Sequence, residues 1–193
     1  AASHGRVFIV EVMGHKVGWL TLYAGLAGGA DIILLPEIPY DINIVCDALT
    51  KRSKAGKRFS ILAVAEGAIS REDAKMSKKE LKEKKKSGVV YPSVAYEIGA
   101  KIQEVIGSEV RVTVPGHMQR GGEPCAYDRV LATRLGAAAA RLIAEERYGY
   151  MVAVKNNDIT QVPLSEVAGR LKTVDPECSM IKEAKMVGIS FGD

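Results

Sequence analysis

Short runs of apolar, largely β-branched residues alternate with helix-length segments along this chain, and this alternation restricts the fold more than any other feature. The runs are VFIVEVM (7–13), DIILLPE (31–37), RFSILAVAEG (58–67) and EVRVTVPG (109–116). The first three are too apolar to turn one face to water, so they predict strands buried on both faces. We therefore expect an α/β fold, a three-layer parallel sheet with flanking helices.

The segments between and after these runs have helical or hairpin patterns. Asp41 is a candidate N-cap and Gly56 a candidate end for the second helix. The expected helices cover residues 18–30, 42–56, 93–107, roughly 126–147, 165–172 and 176–187, and the expected hairpin covers 151–162.

Composition narrows the class of protein. With 193 residues and 47% apolar residues, the chain can bury a sizeable core. It contains no apolar run of membrane-spanning length and no secretory leader pattern, so no membrane partner is expected. Its three cysteines (46, 125 and 178) are odd in number and form no C-x-x-C pair. This pattern favours a reduced, cytoplasmic protein.

The segment SREDAKMSKKELKEKKK (70–86) has eight basic and four acidic residues and permits two interpretations. One is a nucleic-acid-binding patch. The other, which we favour, is a solvated surface helix or mobile insertion. The acids are interleaved with the bases, Glu80 and Lys84 have the i,i+4 spacing of a helical ion pair, and no aromatic side chain is available for base stacking. We expect no nucleic-acid partner.

Polar residues and glycines follow the predicted strands. In parallel α/β sheets, ligands bind beyond the carboxyl ends of the strands. Met13-Gly14-His15 follows the first strand, Glu66-Gly67 the third, and Gly116–Arg120 the fourth. Three segments with polar residues and glycines at one edge of the sheet indicate a binding site.

Each segment also has a structural alternative. The glycine after the first strand is also typical of a simple turn, and Glu66 could cap a helix. Arg120, just before Gly121-Gly122, could grip a phosphate together with backbone N–H groups, or it could cap a neighbouring helix. The three histidines lack metal-ligand spacing, so we expect no metal site. Asp128-Arg129 is interpreted as the start of the following helix.

Three stretches together resemble the C-terminal half of 6-phosphofructokinases. They are VEVMGHKVGWLTLYAGLAGGADIILLPE, ILAVAEGA and VTVPGHMQRGGEPCAYDRVLATRLGAAAA. The resemblance covers most of residues 4 to about 155, and its GHxQRGGxPxxxDRxLAxRxG string is highly specific. It implies a fold of two α/β lobes with the active site between them. The implied activity is phosphorylation of the 1-hydroxyl of fructose 6-phosphate, with Mg²⁺ and ATP or, in some branches, inorganic diphosphate.

The resemblance also implies a set of substrate-binding residues. Arg6 and Arg111 match arginines that reach the 6-phosphate across a subunit interface, so a homo-oligomer (dimer or tetramer) with a shared site is expected. The full implied set is Met13, Gly14, His15, Glu66, His117, Arg120, Arg6 and Arg111. Gly29, Asp31 and Lys57 fall near the positions of a nucleotide-effector site in bacterial members.

The chain departs from the family pattern in two places. Histidine occupies position 15, where the family has an arginine, and its charge depends on pH. Extra residues at about 70–92 resemble the diphosphate-using or mixed-substrate branch.

Other family motifs do not occur in this sequence. The glycine-rich nucleotide loop, the GGDGS-type motif and the TIDND-type motif with the catalytic base have no counterpart here. The resemblance therefore implies that no catalytic residue lies in this chain and that Mg²⁺ with ATP or diphosphate is bound mainly by another half. We expect a fructose 6-phosphate-binding lobe at 1–115, and a substrate loop with C-terminal helices at 116–193. These helices would pack partly on the missing N-terminal lobe. The chain is then a fragment of a glycolytic kinase or, alternatively, a non-catalytic sugar-phosphate-binding or regulatory subunit.

Overall fold

The computed structural model describes residues 6–87 and 90–193. The opening AASHG and two positions of the predicted insertion, 88 and 89, lie outside the described residues. The chain forms two compact units. One unit contains the residues up to Gln119 together with Thr173–Asp193, and the other is Arg120–Lys172.

Strands and helices alternate through the first unit, as the sequence predicts. Over both units, the strands are β1 (Val7–Val12), β2 (Ile32–Leu34), β3 (Ser60–Ala65), β4 (Val110–Thr113), β5 (Tyr150–Lys155) and β6 (Asp158–Pro163). The helices are α1 (Trp19–Ala27), α2 (Ile42–Lys54), α3 (Arg71–Ala74), α4 (Lys78–Ser87), α5 (Val94–Ile106), α6 (Ala126–Ala144), α7 (Leu164–Val167) and α8 (Ser179–Met186).

The first four strands form one sheet in the order β2-β3-β1-β4. All three strand pairings are parallel, with Val12 opposite Ala65 and Val7 opposite Val110. Because parallel strands end at the same edge, the segments after β1 and β3 are neighbours at the carboxyl edge. The parallel α/β sheet predicted from the apolar runs is confirmed.

Two apolar clusters cover opposite faces of this sheet and make the unit three-layered. On one face α2 and α5 bury Leu49 and Ile98 against Ile9 and Leu62. On the other face α1 and α8 contribute Leu22 and Ile181, among others, to a cluster with strand residues such as Ile33. Strands β1, β2 and β3 are largely apolar on both sides because both sides are covered.

Local signals explain where α2 begins and where α5 ends. The Asp41 side chain accepts a hydrogen bond from the Asn43 N–H (2.8 Å), which confirms it as the N-cap of α2. Helix α5 ends at Gly107, whose left-handed backbone (φ 66°) favours glycine. Among its buried residues, α5 has Ala95, Ile98 and Ile102 at the spacing of one helical face.

The C-terminal segment packs on the first unit. Ile33 donates a backbone hydrogen bond to Ser190 (2.9 Å), and Ser190 donates one to Asp31 (3.1 Å). Phe191 is fully buried in the second cluster. The sequence analysis placed a boundary at residue 115. In the structure, residues 173–193 fold on the unit that precedes this boundary.

The second unit consists of α6, the β5–β6 hairpin and α7. Asn156 and Asn157 form the hairpin turn with positive φ angles of 51° and 68°, as asparagines tolerate. The Arg134 guanidinium donates to the Asn157 carbonyl (2.6 Å) and ties α6 to this turn. The helix predicted at 165–172 is shorter than expected because the backbone leaves the helical conformation at Ala168 (ψ 126°).

The lysine-rich segment contains α4, and one predicted ion pair within it is wrong. Glu80 does not pair with Lys84, because its carboxylate turns back to accept a hydrogen bond from the Ser77 N–H (2.7 Å). The Ser77 hydroxyl accepts one from the Glu80 N–H (3.3 Å), which completes a capping box. Lys84 instead contacts Asp73 (2.5 Å), and this bond raises the pKa of the lysine. Within the described part of the chain, no helix is long and apolar enough to cross a bilayer.

Candidate functional site

Glu66 lies beside the end of β1 because of the strand register. Its backbone N–H donates to the carbonyl of Val12 (2.9 Å), one step beyond the last β1–β3 pair. This hydrogen bond places the first residue after β3 against the segment Met13-Gly14-His15. Two of the three predicted segments at the carboxyl edge therefore meet.

The Glu66 carboxylate is held by backbone N–H groups. Its Oε1 accepts hydrogen bonds from Gly14 (3.2 Å) and His15 (2.5 Å). Consecutive N–H groups can converge on one oxygen because Gly14 (φ 152°) and His15 (φ 54°) both have positive φ. No hydrogen bond to Oε2 is found among the described residues, so this oxygen can accept one from a ligand hydroxyl.

Gly67 allows the His15 backbone to approach. A Cβ atom at position 67 would lie 1.9 Å from the His15 carbonyl oxygen, far inside contact distance. The glycine after Glu66 is therefore required by packing. It determines the position of the N–H groups that bind Glu66.

Gln119 ties the loop after β4 to the end of β1. Its Oε1 accepts from the Met13 N–H (3.1 Å), and its Nε2 donates to the Gly116 carbonyl (3.2 Å). The loop is a 3₁₀ turn, Gly116–Arg120, that carries His117. Sequence reasoning did not single out Gln119, although it lies inside the most specific motif, because an uncharged amide in a polar loop has no distinctive signal.

A cavity of about 540 Å³ opens at this edge of the sheet. It is lined by Glu11, His15, Lys16, Pro36, Glu66, Gly67, Pro92, Ser93 and Val94. Glu11 is buried in β1 and accepts a hydrogen bond from the Ala95 N–H (3.0 Å) in the first turn of α5. Sequence reasoning missed Glu11 because its neighbours made it look like part of an ordinary strand, although a carboxylate in such a run is itself a signal.

A second cavity, of about 490 Å³, adjoins the other side of Glu66. Asp73 and Glu97 line it together with Tyr40. Burial, reinforced by Glu97, Asp73 and Glu72, raises the pKa of Tyr40 well above its usual range, so this phenol stays protonated. Asp73 and Glu97 are both ion-paired, Asp73 with Lys84 (2.5 Å) and Glu97 with Lys101 (2.7 Å).

Arg6 and Arg111 lie at the opposite edge of the sheet from Glu66. Arg6 immediately precedes β1, and Arg111 is in the first half of β4, which pairs in parallel with β1. Both contact Glu109, at 2.6 Å from Arg6 and 2.7 Å from Arg111. Along β1, Arg6 is about 23 Å from Met13, and Arg111, which lies opposite Phe8, is about 16 Å from the level of Met13.

Arg120 belongs to the second unit. The helix that follows begins as predicted, since Asp128 lies in the first turn of α6 and accepts hydrogen bonds from the N–H and thiol groups of Cys125 (3.2 and 3.1 Å). Arg129 contacts Glu123 (3.1 Å). Asp128 and Arg129 thus stabilise the start of α6 and its preceding loop.

The described residues contain no cluster of side chains with the composition of a metal site. No group of three or more His, Cys, Asp or Glu side chains among them could hold a metal ion. A Mg²⁺ ion needs oxygen ligands in octahedral geometry, supplied by carboxylates, phosphates and water.

Comparison with known proteins identifies the family. The family model described as phosphofructokinase matches residues 1–143, about three quarters of the chain. The chain belongs to the phosphofructokinase family. Members of this family include kinases named for ATP and others named for pyrophosphate.

Relatives within the phosphofructokinase family match the whole chain. An ATP-dependent 6-phosphofructokinase of Spirochaeta thermophila is 53% identical over all 193 residues, which is 52% of that protein. The chain thus spans about half the length of the curated relatives it matches.

Two solved structures match the fold. Phosphofructokinase from Saccharomyces cerevisiae is 36% identical with a TM-score of 0.70, covering 86% of this chain and 20% of that one. A pyrophosphate-dependent phosphofructokinase from Marinobacter aquaeolei is 21% identical with a TM-score of 0.74, covering 98% of this chain and 50% of that one. At this identity the second match shows the fold alone.

Proposed function

We propose that this chain is the sugar-phosphate-binding half of an ATP-dependent 6-phosphofructokinase, which transfers a phosphoryl group from ATP to the 1-hydroxyl of fructose 6-phosphate. The observation that carries the proposal is the Glu66 carboxylate, held by the Gly14 and His15 N–H groups at the mouth of a cavity. ATP is favoured over diphosphate as donor because the relative at 53% identity is named ATP-dependent.

Each proposed site residue has a role that suits a phosphorylated sugar. Glu66 accepts hydrogen bonds from ring hydroxyls through Oε2. Met13, Gly14 and His15 form the wall to which Gln119 attaches the loop that carries His117. Arg120 contributes a permanent positive charge for the phosphate. This half therefore binds and orients the acceptor.

The 6-phosphate is bound by Arg6 and Arg111 of a neighbouring copy in this proposal. Within one copy these arginines lie toward the amino edge of the sheet, about 16–23 Å from the level of Met13 at the carboxyl edge. A fructose 6-phosphate molecule is too short to bridge this distance, which supports a homo-oligomer with a site shared between subunits. Sugar binding would then respond to the arrangement of subunits.

The donor, Mg²⁺ and the catalytic base come from the other half of the enzyme. Phosphoryl transfer needs a positioned nucleophile and neutralisation of charge on the transferred group. In this proposal the chain binds and orients the acceptor, and the other half completes the transfer. We place the enzyme in the cytoplasm, since the three cysteines are all free thiols.

Titration with fructose 6-phosphate tests the proposed site. We expect the Glu66→Gln variant to bind at least about tenfold more weakly than the natural chain, because a hydrogen bond to a charged acceptor is worth about 1.5–3 kcal/mol. Glu104→Gln, an equal charge change at an exposed position on α5, should bind normally. Unchanged affinity of Glu66→Gln in a folded protein would contradict the proposal.

A second candidate function is a sugar-phosphate-binding subunit without catalysis. It is favoured by one observation, the histidine at position 15 where the resembling enzymes have arginine. Combining the chain with a donor half and measuring fructose 1,6-bisphosphate formation separates the two candidates. Measurable activity of the natural protein, increased in the His15→Arg variant, supports the kinase. Complete absence of activity in the natural protein supports the binding subunit.

A further inference from the structure

One carboxylate lies between the two arginines at the amino edge of the sheet. Glu109 Oε2 contacts Arg6 Nε at 2.6 Å, and Glu109 Oε1 contacts Arg111 Nη2 at 2.7 Å. Each carboxylate oxygen therefore has its own guanidinium partner. Nothing in the sequence pattern singled out this glutamate, which looks like an ordinary exposed acid before a strand.

The backbone itself places the three side chains on one face. The Val7 N–H donates to the Glu109 carbonyl (3.2 Å), and Val7 pairs with Val110 in the parallel β1–β4 ladder. Arg6 is therefore the lateral neighbour of Glu109 across the β1–β4 pair. Arg111 lies two residues after Glu109, in β4. Laterally paired residues and residues two apart point to the same side of a sheet, so the three side chains share a face.

We propose that Glu109 is a positioning residue that holds Arg6 and Arg111 side by side as a two-arginine phosphate clamp. The inference rests on the proposed function, in which these arginines bind the sugar phosphate of a neighbouring copy. Each guanidinium has five N–H donors in a fixed planar fork. Glu109 takes the Nε–H of Arg6, which leaves both terminal nitrogens of that side chain for a phosphate.

In this proposal, Glu109 favours phosphate binding by ordering the two arginine side chains more than it opposes binding by repelling the phosphate. The side chains of Arg6, Arg111 and Glu109 are 29%, 55% and 49% exposed, so water and salt weaken the repulsion between the carboxylate and a phosphate. A long arginine side chain loses considerable rotamer freedom when it binds an anion, and Glu109 has already imposed that loss on both. The phosphate then meets donors that are already in place.

Kinetics with fructose 6-phosphate in the enzyme assembled with its donor half test the clamp. We expect Glu109→Ala to raise KM for fructose 6-phosphate about tenfold with kcat changed less than about twofold, the signature of lost substrate binding without loss of chemistry. Glu109→Gln should be intermediate, because its amide oxygen still accepts from one arginine. Glu104→Ala, the same charge change on α5, should leave KM unchanged.

The arginine variants make the result specific. Arg6→Ala and Arg111→Ala should each raise KM, and Glu109→Ala should add nothing when both arginines are already absent. An unchanged or lower KM in Glu109→Ala overturns the positioning role, and a lower value means that the carboxylate competes with the phosphate. Unchanged KM in both arginine variants overturns the shared phosphate site itself, and the clamp with it. Urea unfolding of each variant shows whether a change in KM comes from loss of the fold.

Discussion

Gly67 shows how a single residue controls the geometry of the candidate site. Its missing Cβ lets the His15 carbonyl lie where no other residue would permit it. His15 has a left-handed backbone conformation (φ 54°) that costs a non-glycine residue free energy. The hydrogen bond from its N–H to Glu66 offsets part of that cost.

Replacement of Gly67 by alanine should disturb both stability and binding. The added Cβ would lie 1.9 Å from the His15 carbonyl oxygen, so the backbone of residues 14–15 must move away from Glu66. We expect the free energy of unfolding to fall by about 1–3 kcal/mol, as for other overpacked sites, and fructose 6-phosphate affinity to fall with it. Urea denaturation and a sugar titration measure the two effects.

Gly136→Ala is the matched control for this prediction. Gly136 is inside α6, and a Cβ there would have no neighbour within 4 Å. This change should be neutral or slightly stabilising, since alanine has the higher helix propensity. Equal behaviour of the two alanine variants would mean that Gly67 is not packed against His15.

The Gln119 side chain attaches the 3₁₀ turn after β4 to the sheet. Gln119 makes two hydrogen bonds, one to the end of β1 and one within the turn. A short turn has few internal hydrogen bonds, so its position is determined by such tertiary contacts. The specific GHxQRGG motif thus contains a residue that positions the turn as well as residues proposed to contact the ligand.

Gln119→Met should loosen this turn without unfolding the protein. Methionine has a similar length but neither the acceptor for Met13 N–H nor the donor for the Gly116 carbonyl. We expect faster hydrogen exchange at the Met13 amide, and a loss of about 1 kcal/mol of stability for the lost hydrogen bonds. Gln103→Met, at an exposed position on α5, is the control. Unaltered exchange at Met13 in the Gln119 variant would contradict this role.

At the scale of the whole molecule, the chain leaves the first unit after Gln119 and returns to it at Thr173. The returning segment covers the outer edge of β2 through the hydrogen bonds of Ser190. It also brings Phe191 into the cluster on the α1 and α8 face. The first unit is therefore completed by residues far from it in sequence.

Phe191→Ala tests how strongly this segment supports the first unit. Phe191 is fully buried, so we expect its truncation to lower the free energy of unfolding by about 3–5 kcal/mol. Val187→Ala, in the same segment but 77% exposed, should change it by less than about 0.5 kcal/mol. Similar small effects from both substitutions in thermal or urea unfolding would show that the C-terminal segment is not part of the core.

Local patterns in the sequence determined the strands, most helices and the edge of the sheet at which the candidate site lies. Runs such as 58–67 are apolar on both sides, which suits only a strand covered on both faces. Asp41 and Gly107 mark helix ends through their own side-chain or backbone preferences. The specific motif around Gly116–Arg120 indicated the family without any information on tertiary contacts.

Tertiary structure alone decided the strand order and the partners of the polar side chains. Gly14 and Glu66 are 52 residues apart, and Met13 and Gln119 are 106 apart, so no local spacing predicts their hydrogen bonds. Glu109 meets Arg6 only because β4 pairs with β1 in one particular register. A backbone preference acts over a few neighbouring residues, whereas a hydrogen bond between distant segments depends on how the whole sheet is assembled.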